Sequence, residues 1–343
     1  MTILREIRLA RAIQMDLSEL FPRCTSIRVS PVARGIHSHG FKASCDTLDG
    51  NLICFVKVPK AATMKEALEV TRASATTATR LSGIPPLSSG VGFPRYLGYL
   101  PEIPALVMEY ISGVRLDRRL ERCGPFMRAT FWKETLTSLG SWLSRFHMVE
   151  PPTAKGGERI FPYWIRGYQS PDRPPVSLES FLNRIRVPRS AIHNLVERIG
   201  KSDSFDEDRL PSLAWNYGDF RLWNIMKSRE HLFITDTPVA LLVDSPWRDV
   251  CAFLTSIDIV LNRLTPRVHG HTESARALSR IFLEAYCGHD VLDPAMIEGL
   301  KVASLASSLQ DLASGRGARN RATQRFVTRR IRDALQGRPM RSV

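Results

Sequence analysis

Residues 213–254, LAWNYGDFRLWNIMKSREHLFITDTPVALLVDSPWRDVCAFL, constrain the chain more than any other stretch. Asp219 follows Gly218, Asn224 comes five residues later, and Asp236 follows the apolar run Leu232-Phe233-Ile234. Taken singly, each fragment reads as a turn or a strand cap. Taken in order, the three side chains are the set that phosphoryl transfer needs. That reaction asks for a carboxylate beside the attacking hydroxyl, oxygen ligands for a divalent cation, and positive charge on the phosphates. Asp219 suits the first task. Asn224 and Asp236 offer the hard oxygen donors that Mg²⁺ prefers.

With 343 residues the chain can bury a large core. Its 43% hydrophobic and 24% charged residues are ordinary for a soluble globular protein. No apolar run approaches the length of a membrane span. Residues 1–22 place Ile3, Leu4, Ile7, Ala10 and Ile13 at helical spacing among Arg5, Arg8 and Arg11, so an amphipathic helix packed on the neighbouring domain is expected rather than a signal peptide. The six cysteines lack paired C-x-x-C spacing, which reads as reduced thiols in a cytoplasmic protein.

Further along, the apolar alternation of Ser26 to Val32, Phe41 to Thr47 and Leu52 to Val58 predicts three strands, the last two joined at Asp49-Gly50. Lys57 lies inside the third, where an amine is costly without a partner. A helix is expected from Met64 to about Leu81, carrying Glu66 and Glu69. Two more strands follow, Phe93 to Leu100 and Ala105 to Ile111. Helices are expected at 129–149, 249–264, 272–287, 293–313 and 318–336. Residues 150–177 hold six prolines and the pair Tyr163-Trp164, and read as an ordered lid near an acceptor.

The stretch Tyr217-Gly218-Asp219-Phe220-Arg221-Leu222-Trp223-Asn224 resembles the catalytic loop of the aminoglycoside phosphotransferase and choline kinase families, His-Gly-Asp-x-x-x-x-Asn. Pro246-Trp247-Arg248-Asp249 is similar to the Pro-x-x-Asp element that opens a helix after it. Met108-Glu109-Tyr110-Ile111-Ser112-Gly113 resembles the segment that joins the two lobes of kinase-like proteins. The resemblance implies an α+β, bilobal protein-kinase-like fold: an N-lobe of antiparallel sheet plus helix over 23–110 and a mainly helical C-lobe over 111–343. It implies ATP and Mg²⁺ as cofactors, transfer of the γ-phosphoryl group to a sugar-like, glycan or amino-alcohol acceptor, and Asp219 as base. Asn224 and Asp236 would hold the metal. Arg221 would stabilise the transferring phosphate. Lys57 would contact the α/β-phosphates, paired to Glu69, with Glu66 an alternative. The loop carrying Gly35 and Gly40 would cover the phosphates. The Glu109 carbonyl and Ile111 N–H would meet adenine, with Met108 behind the ring and Met226 beneath it.

The sequence departs from the family at Tyr217, at Trp223 and at Thr237-Pro238. The competing reading is a nucleotide-binding pseudokinase or scaffold in which Trp223 and Pro238 spoil metal binding. The 12 residues between Asp236 and Asp249 leave no room for an activation loop, so a small-molecule acceptor is expected rather than a protein. Of the formal charge of +14, residues 301–343 carry +8. That end is a basic arm suited to peripheral contact with an anionic surface, while no recognised nucleic-acid-binding module is present. No feature of the sequence sets an oligomeric state.

Overall fold

The computed structural model describes residues 2–34, 38–48, 50–84, 90–100, 102–123, 129–149, 214–244, 246–264, 270–288 and 318–335, with 190, 301, 304 and 305. The expected lid at 150–177 lies outside these residues, as does most of the expected helix at 293–313. In chain order the elements are α1 (Thr2–Leu20), β1 (Cys24–Arg34), β2 (Ser38–Thr47), β3 (Gly50–Pro59), α2 (Met64–Ser82), β4 (Val91–Gly92), β5 (Tyr96–Leu100) and β6 (Ala105–Glu109). Then come β7 (Val114–Arg115), α3 (Leu116–Cys123), α4 (Ala129–His147), β8 (Ala214–Asn216), a 3-10 turn (Leu222–Asn224), β9 (Ile225–Ser228), β10 (His231–Ile234) and β11 (Leu242–Asp244). The last three are α5 (Trp247–Leu264), α6 (Gly270–Cys287) and α7 (Ala318–Leu335). They fall into two compact units, the first made of Met1–Pro86, Gly92–Gly113 and Met226–Ala240, the second of the remainder.

In the first unit, alternation of side chains along each strand builds an antiparallel sheet in the order β1-β2-β3-β6-β5. One face buries Phe41, Ala43 and Cys45 of β2 with Cys54, Val56 and Val58 of β3. Ile13 and Leu17 of α1 are buried in that same cluster, and Asp16 Oδ2 accepts the Ile103 N–H at 3.0 Å. The amphipathic N-terminal helix is therefore a lid on the sheet. On the other face Leu106 and Met108 pack with Ala75 of α2, and Phe55 and Tyr96 lie against them. Lys57 shares the parity of Phe55 and so points to the α2 side.

The second unit is organised on α5, whose residues are buried almost all round. That is why its sequence, VCAFLTSIDIVL, carries no polar stripe. α3, the 3-10 turn, α6 and α7 all contact it, and α4 packs along α6. An aromatic column joins them: Phe220 stacks on Trp142 at 5.9 Å and meets Phe253 at 5.2 Å, and Phe253 meets Phe282 at 4.4 Å. The α4–α6 approach is close enough that a Cβ on Gly140 would fall 2.5 Å from the Phe282 carbonyl oxygen and 2.9 Å from Ala285 Cβ. Gly140→Ala should lower stability by about 2 kcal/mol in denaturant unfolding, because backbone overlap outweighs the roughly 1 kcal/mol gained in helix propensity. A stabilised variant would mean that the two helices slide apart at little cost.

Candidate active site

The residues singled out by the sequence fall into two sets, one in each unit. In the first unit the Lys57 amine, inside β3, pairs with the Asp236 carboxylate and donates to the Thr237 carbonyl at 3.2 Å. The partner that the apolar strand demands is thus the carboxylate 179 positions away. Glu69 does not pair with Lys57 and is exposed on α2. Nor does Glu66: its N–H donates to the N-cap Thr63 Oγ1 at 3.2 Å while its Oε2 accepts from the Ala62 N–H at 2.9 Å, so its carboxylate is used at the start of α2. The expected Lys57–Glu69 pair is thus corrected. The carboxylate that Lys57 meets is supplied by the chain following β10.

The backbone after Asp236 is held by side chains. Thr237 Oγ1 lies 3.3 Å from Met108 Sδ, and Thr77 of α2 donates to the Val239 carbonyl at 3.0 Å. Pro238, between them, adds its fixed φ. Met108 is buried. At the end of β6 the Glu109 N–H donates to the Arg95 carbonyl at 2.8 Å and the Tyr110 N–H to the Ile53 carbonyl at 3.2 Å, after which Tyr110 to Gly113 leave the ladder. Ile111 is buried and Met226 half-buried. Ser228 Oγ donates to the Ser112 carbonyl at 2.6 Å, tying this segment to β9.

The loop expected over 34–40 is shorter than the sequence suggested. The β1–β2 ladder continues through Ala33 opposite Gly40 and Arg34 opposite His39, and residues 35–37 between them, Gly35 included, lie outside those described. Gly40 is buried within β2, and a Cβ there would lie 2.6 Å from Phe55 Cζ. Cross-strand packing accounts for this glycine, so it does not belong to a loop tip.

In the second unit the segment from Tyr217 to Asn224 is fixed from several sides. Gly218 adopts φ 87°, a left-handed conformation that glycine takes without strain. Phe220 plugs the aromatic column described above. Ser256 Oγ accepts the Leu222 N–H at 3.1 Å and donates to the Phe253 carbonyl at 2.6 Å. At the exposed side, Asn224 Nδ2 donates to Asp219 Oδ2 at 2.6 Å and to the Asp219 carbonyl at 3.0 Å, while Arg221 Nε meets Asp219 Oδ1 at 2.9 Å. With its NH₂ turned to Asp219, Asn224 has its carbonyl oxygen at the opposite edge of the amide, the donor type a hard cation takes. The Trp223 ring lies 5.4 Å from the Arg221 guanidinium, a cation–π support for that side chain.

The sequence marked Asp249 by resemblance but gave it no task. Its carboxylate is fully buried in the first turn of α5 and takes the Tyr217 N–H at 2.6 Å and the Gly218 N–H at 2.7 Å, the two amides just before Asp219. The helix N-terminus favours the charge. His147 Nε2 stands 3.5 Å from the same carboxylate, and its Nδ1 is 2.8 Å from the Tyr286 hydroxyl. Burial, followed by the nearby Cys287, Asp249 and Cys251, pushes the Tyr286 phenol well above its usual range. The signal that could have identified this clamp is an acidic residue in the first turn of an otherwise apolar helix, where an unpaired charge is expensive.

Among the described residues no group of three or more His, Cys, Asp or Glu forms a metal cluster, and no helix is long and apolar enough to cross a membrane. No family model matches the sequence, and none of the curated proteins matches it. Solved structures do. The chain is similar to an ethanolamine kinase from Plasmodium vivax at 10% identity and TM-score 0.59, covering 94% of this chain and 86% of that one. It is similar to the choline kinase LicA from Streptococcus pneumoniae at 14% identity and TM-score 0.56, covering 96% and 99%. The ADP-bound aminoglycoside phosphotransferase APH(2'')-Ib gives 14% identity and TM-score 0.54, covering 95% and 96%. The chain therefore has the kinase-like α+β fold of these phosphotransferases, as the sequence resemblance implied.

Proposed function

We propose that the protein is an ATP-dependent small-molecule kinase that transfers the γ-phosphoryl group to a hydroxyl. The observation that carries this reading is the Lys57–Asp236 pair, a strand lysine meeting the carboxylate that the sequence marked as a metal ligand. The similar structures include choline and ethanolamine kinases and an ADP-bound phosphotransferase, which supports nucleotide chemistry and an amino-alcohol or sugar-like acceptor. The near-neutral body of residues 1–300 argues against a polycationic acceptor.

In this reading Lys57 neutralises the α/β-phosphates and the 109–111 segment binds adenine through its backbone. Asn224 and Asp236 would each offer Mg²⁺ an oxygen ligand, and the ion would supply charge neutralisation for the phosphates. Asp219, fixed by Arg221 and Asn224, orients the acceptor hydroxyl and accepts its proton. Arg221, steadied by Trp223, sets positive charge against the negative charge of the transferring phosphoryl oxygens. Support for Arg221 from Trp223 favours catalysis over the scaffold alternative.

The reading is tested by incubating the protein with γ-labelled ATP, Mg²⁺ and a panel of hydroxylated sugars, amino alcohols and glycans. Phosphorylation of one class, abolished by chelation, is expected. ATP binding with no acceptor phosphorylated in any class would point to the scaffold instead. A second prediction separates the two candidate partners of the nucleotide: Lys57→Ala should weaken ATP binding roughly 10- to 100-fold through loss of a charge-assisted phosphate contact. Glu69→Gln, at an exposed position, should change it less than about twofold. Equal losses would restore a nucleotide role for Glu69.

A further inference from the structure

The basic C-terminal helix has two faces that do different work. Thr323, Val327 and Arg330 recur at i, i+4 and i+7 on α7, the first two fully buried. Arg330 Nη2 reaches Asp258 Oδ2 on α5 at 3.8 Å, where Lys301 Nζ also ends at 3.2 Å, and the Arg330 guanidinium lies over the Phe326 ring. This stripe fastens α7 to the helical unit. Arg325, Arg329 and Arg332 are displaced from it by two positions, about 200° around the helix. All three are exposed, stacked on successive turns along roughly 10 Å of helix. Neither Arg325 nor Arg329 makes an ion pair among the described residues, and the helix contains one acid, Asp333, against six arginines.

We propose that this outer stripe is a docking strip for an anionic lipid bilayer, on which the protein lies peripherally. The charge is polarised: +8 in residues 301–343 against +6 in the preceding 300. A field of that kind orients a molecule as it approaches a negative plane. Thr323 and Val327 face inward and the outer strip of Arg325, Arg329 and Arg332 holds no apolar side chain to insert, so contact is electrostatic and reversible. Nucleic acid fits less well. The inner half of the helix is occupied by its own unit, which bars groove entry, and the strip interleaves no exposed aromatic for base stacking.

The test uses the full-length protein and sedimentation with vesicles of 30% phosphatidylserine in phosphatidylcholine, beside pure phosphatidylcholine, at low and high salt. Binding to the anionic vesicles alone, lost as salt rises, is expected. Arg325→Ser/Arg329→Ser should weaken it roughly 25-fold, at about a factor of five for each arginine. The charge-matched control Arg72→Ser/Arg276→Ser, at exposed sites elsewhere, should retain binding. Unchanged unfolding curves confirm that the variants fold. The proposal is overturned by equal binding to neutral vesicles, by equal loss in the control, by no vesicle binding at all, or by tighter binding to duplex DNA or RNA than to the vesicles at matched salt. The last result would identify nucleic acid as the partner.

Discussion

Asp219→Ala should reduce the turnover of γ-phosphoryl transfer about 10³-fold, within the range that a positioned general base contributes. ATP binding should stay near the wild-type level. The carboxylate is gripped on both oxygens, by Arg221 at 2.9 Å and by Asn224 at 2.6 Å, and its side chain is 41% exposed, so it is presented outward by a fixed frame. Fold stability should change little, since the frame rests on Asp249, Ser256 and Phe220 instead. Asp219→Asn refines the test. It keeps an oxygen for Arg221 but cannot accept a proton, so it should be nearly as impaired as alanine. Transfer retained within about tenfold in both variants would remove Asp219 from the chemistry. Turnover is read with label from ATP, and nucleotide affinity by direct titration.

The second large effect is expected at Asp249, which touches no reacting group. Removing its side chain strands the buried amide of Tyr217 and the part-buried amide of Gly218, and takes a hydrogen-bond partner from His147. Each orphaned amide costs about 1–3 kcal/mol, so Asp249→Ala should destabilise the protein by about 3–5 kcal/mol. The Tyr217–Asn224 segment would also lose the two bonds that fix its start, and activity should fall on the order of 100-fold even where the protein remains folded. Asp249→Asn has one acceptor oxygen for the two amides and should lie between wild type and alanine in both readouts. The pattern to look for is a fall in kcat with ATP affinity retained, at a temperature well below unfolding. An alanine variant as stable and active as wild type would show that the two amides find other partners.

The parts of the fold legible in the sequence are those encoded by local periodicity. Alternation in 26–58 foretold β1 to β3, and the helical spacing at 129–149 foretold α4 to within two residues. The turn at Asp49-Gly50 is matched by the Thr47–Gly50 pairing. Pairings between distant elements were less legible. Lys57 announced that it needed a partner, but periodicity could not choose between the helix acids and Asp236, because that choice is set by where the chain after β10 runs. Glu66 was hidden for a related reason: the signature Thr63-x-x-Glu66 is a helix-start pattern, and its local bond withdraws the residue from any role at Lys57. Gly40 misled because a glycine demanded by a neighbouring ring looks in sequence like a glycine demanded by a loop. The role of Asp249 was out of reach, since the groups it serves are backbone amides that have no letter of their own.

The central claim is that Asp236, beside Lys57, holds the divalent ion on which nucleotide binding depends. Titration of ATP into the wild-type protein and into Asp236→Ala, with Mg²⁺ and with chelator, tests it directly. The account predicts that Mg²⁺ tightens ATP binding to the wild-type protein at least tenfold and that this gain disappears in the variant. Binding indifferent to Mg²⁺, or a metal-dependent gain preserved in Asp236→Ala, would contradict it.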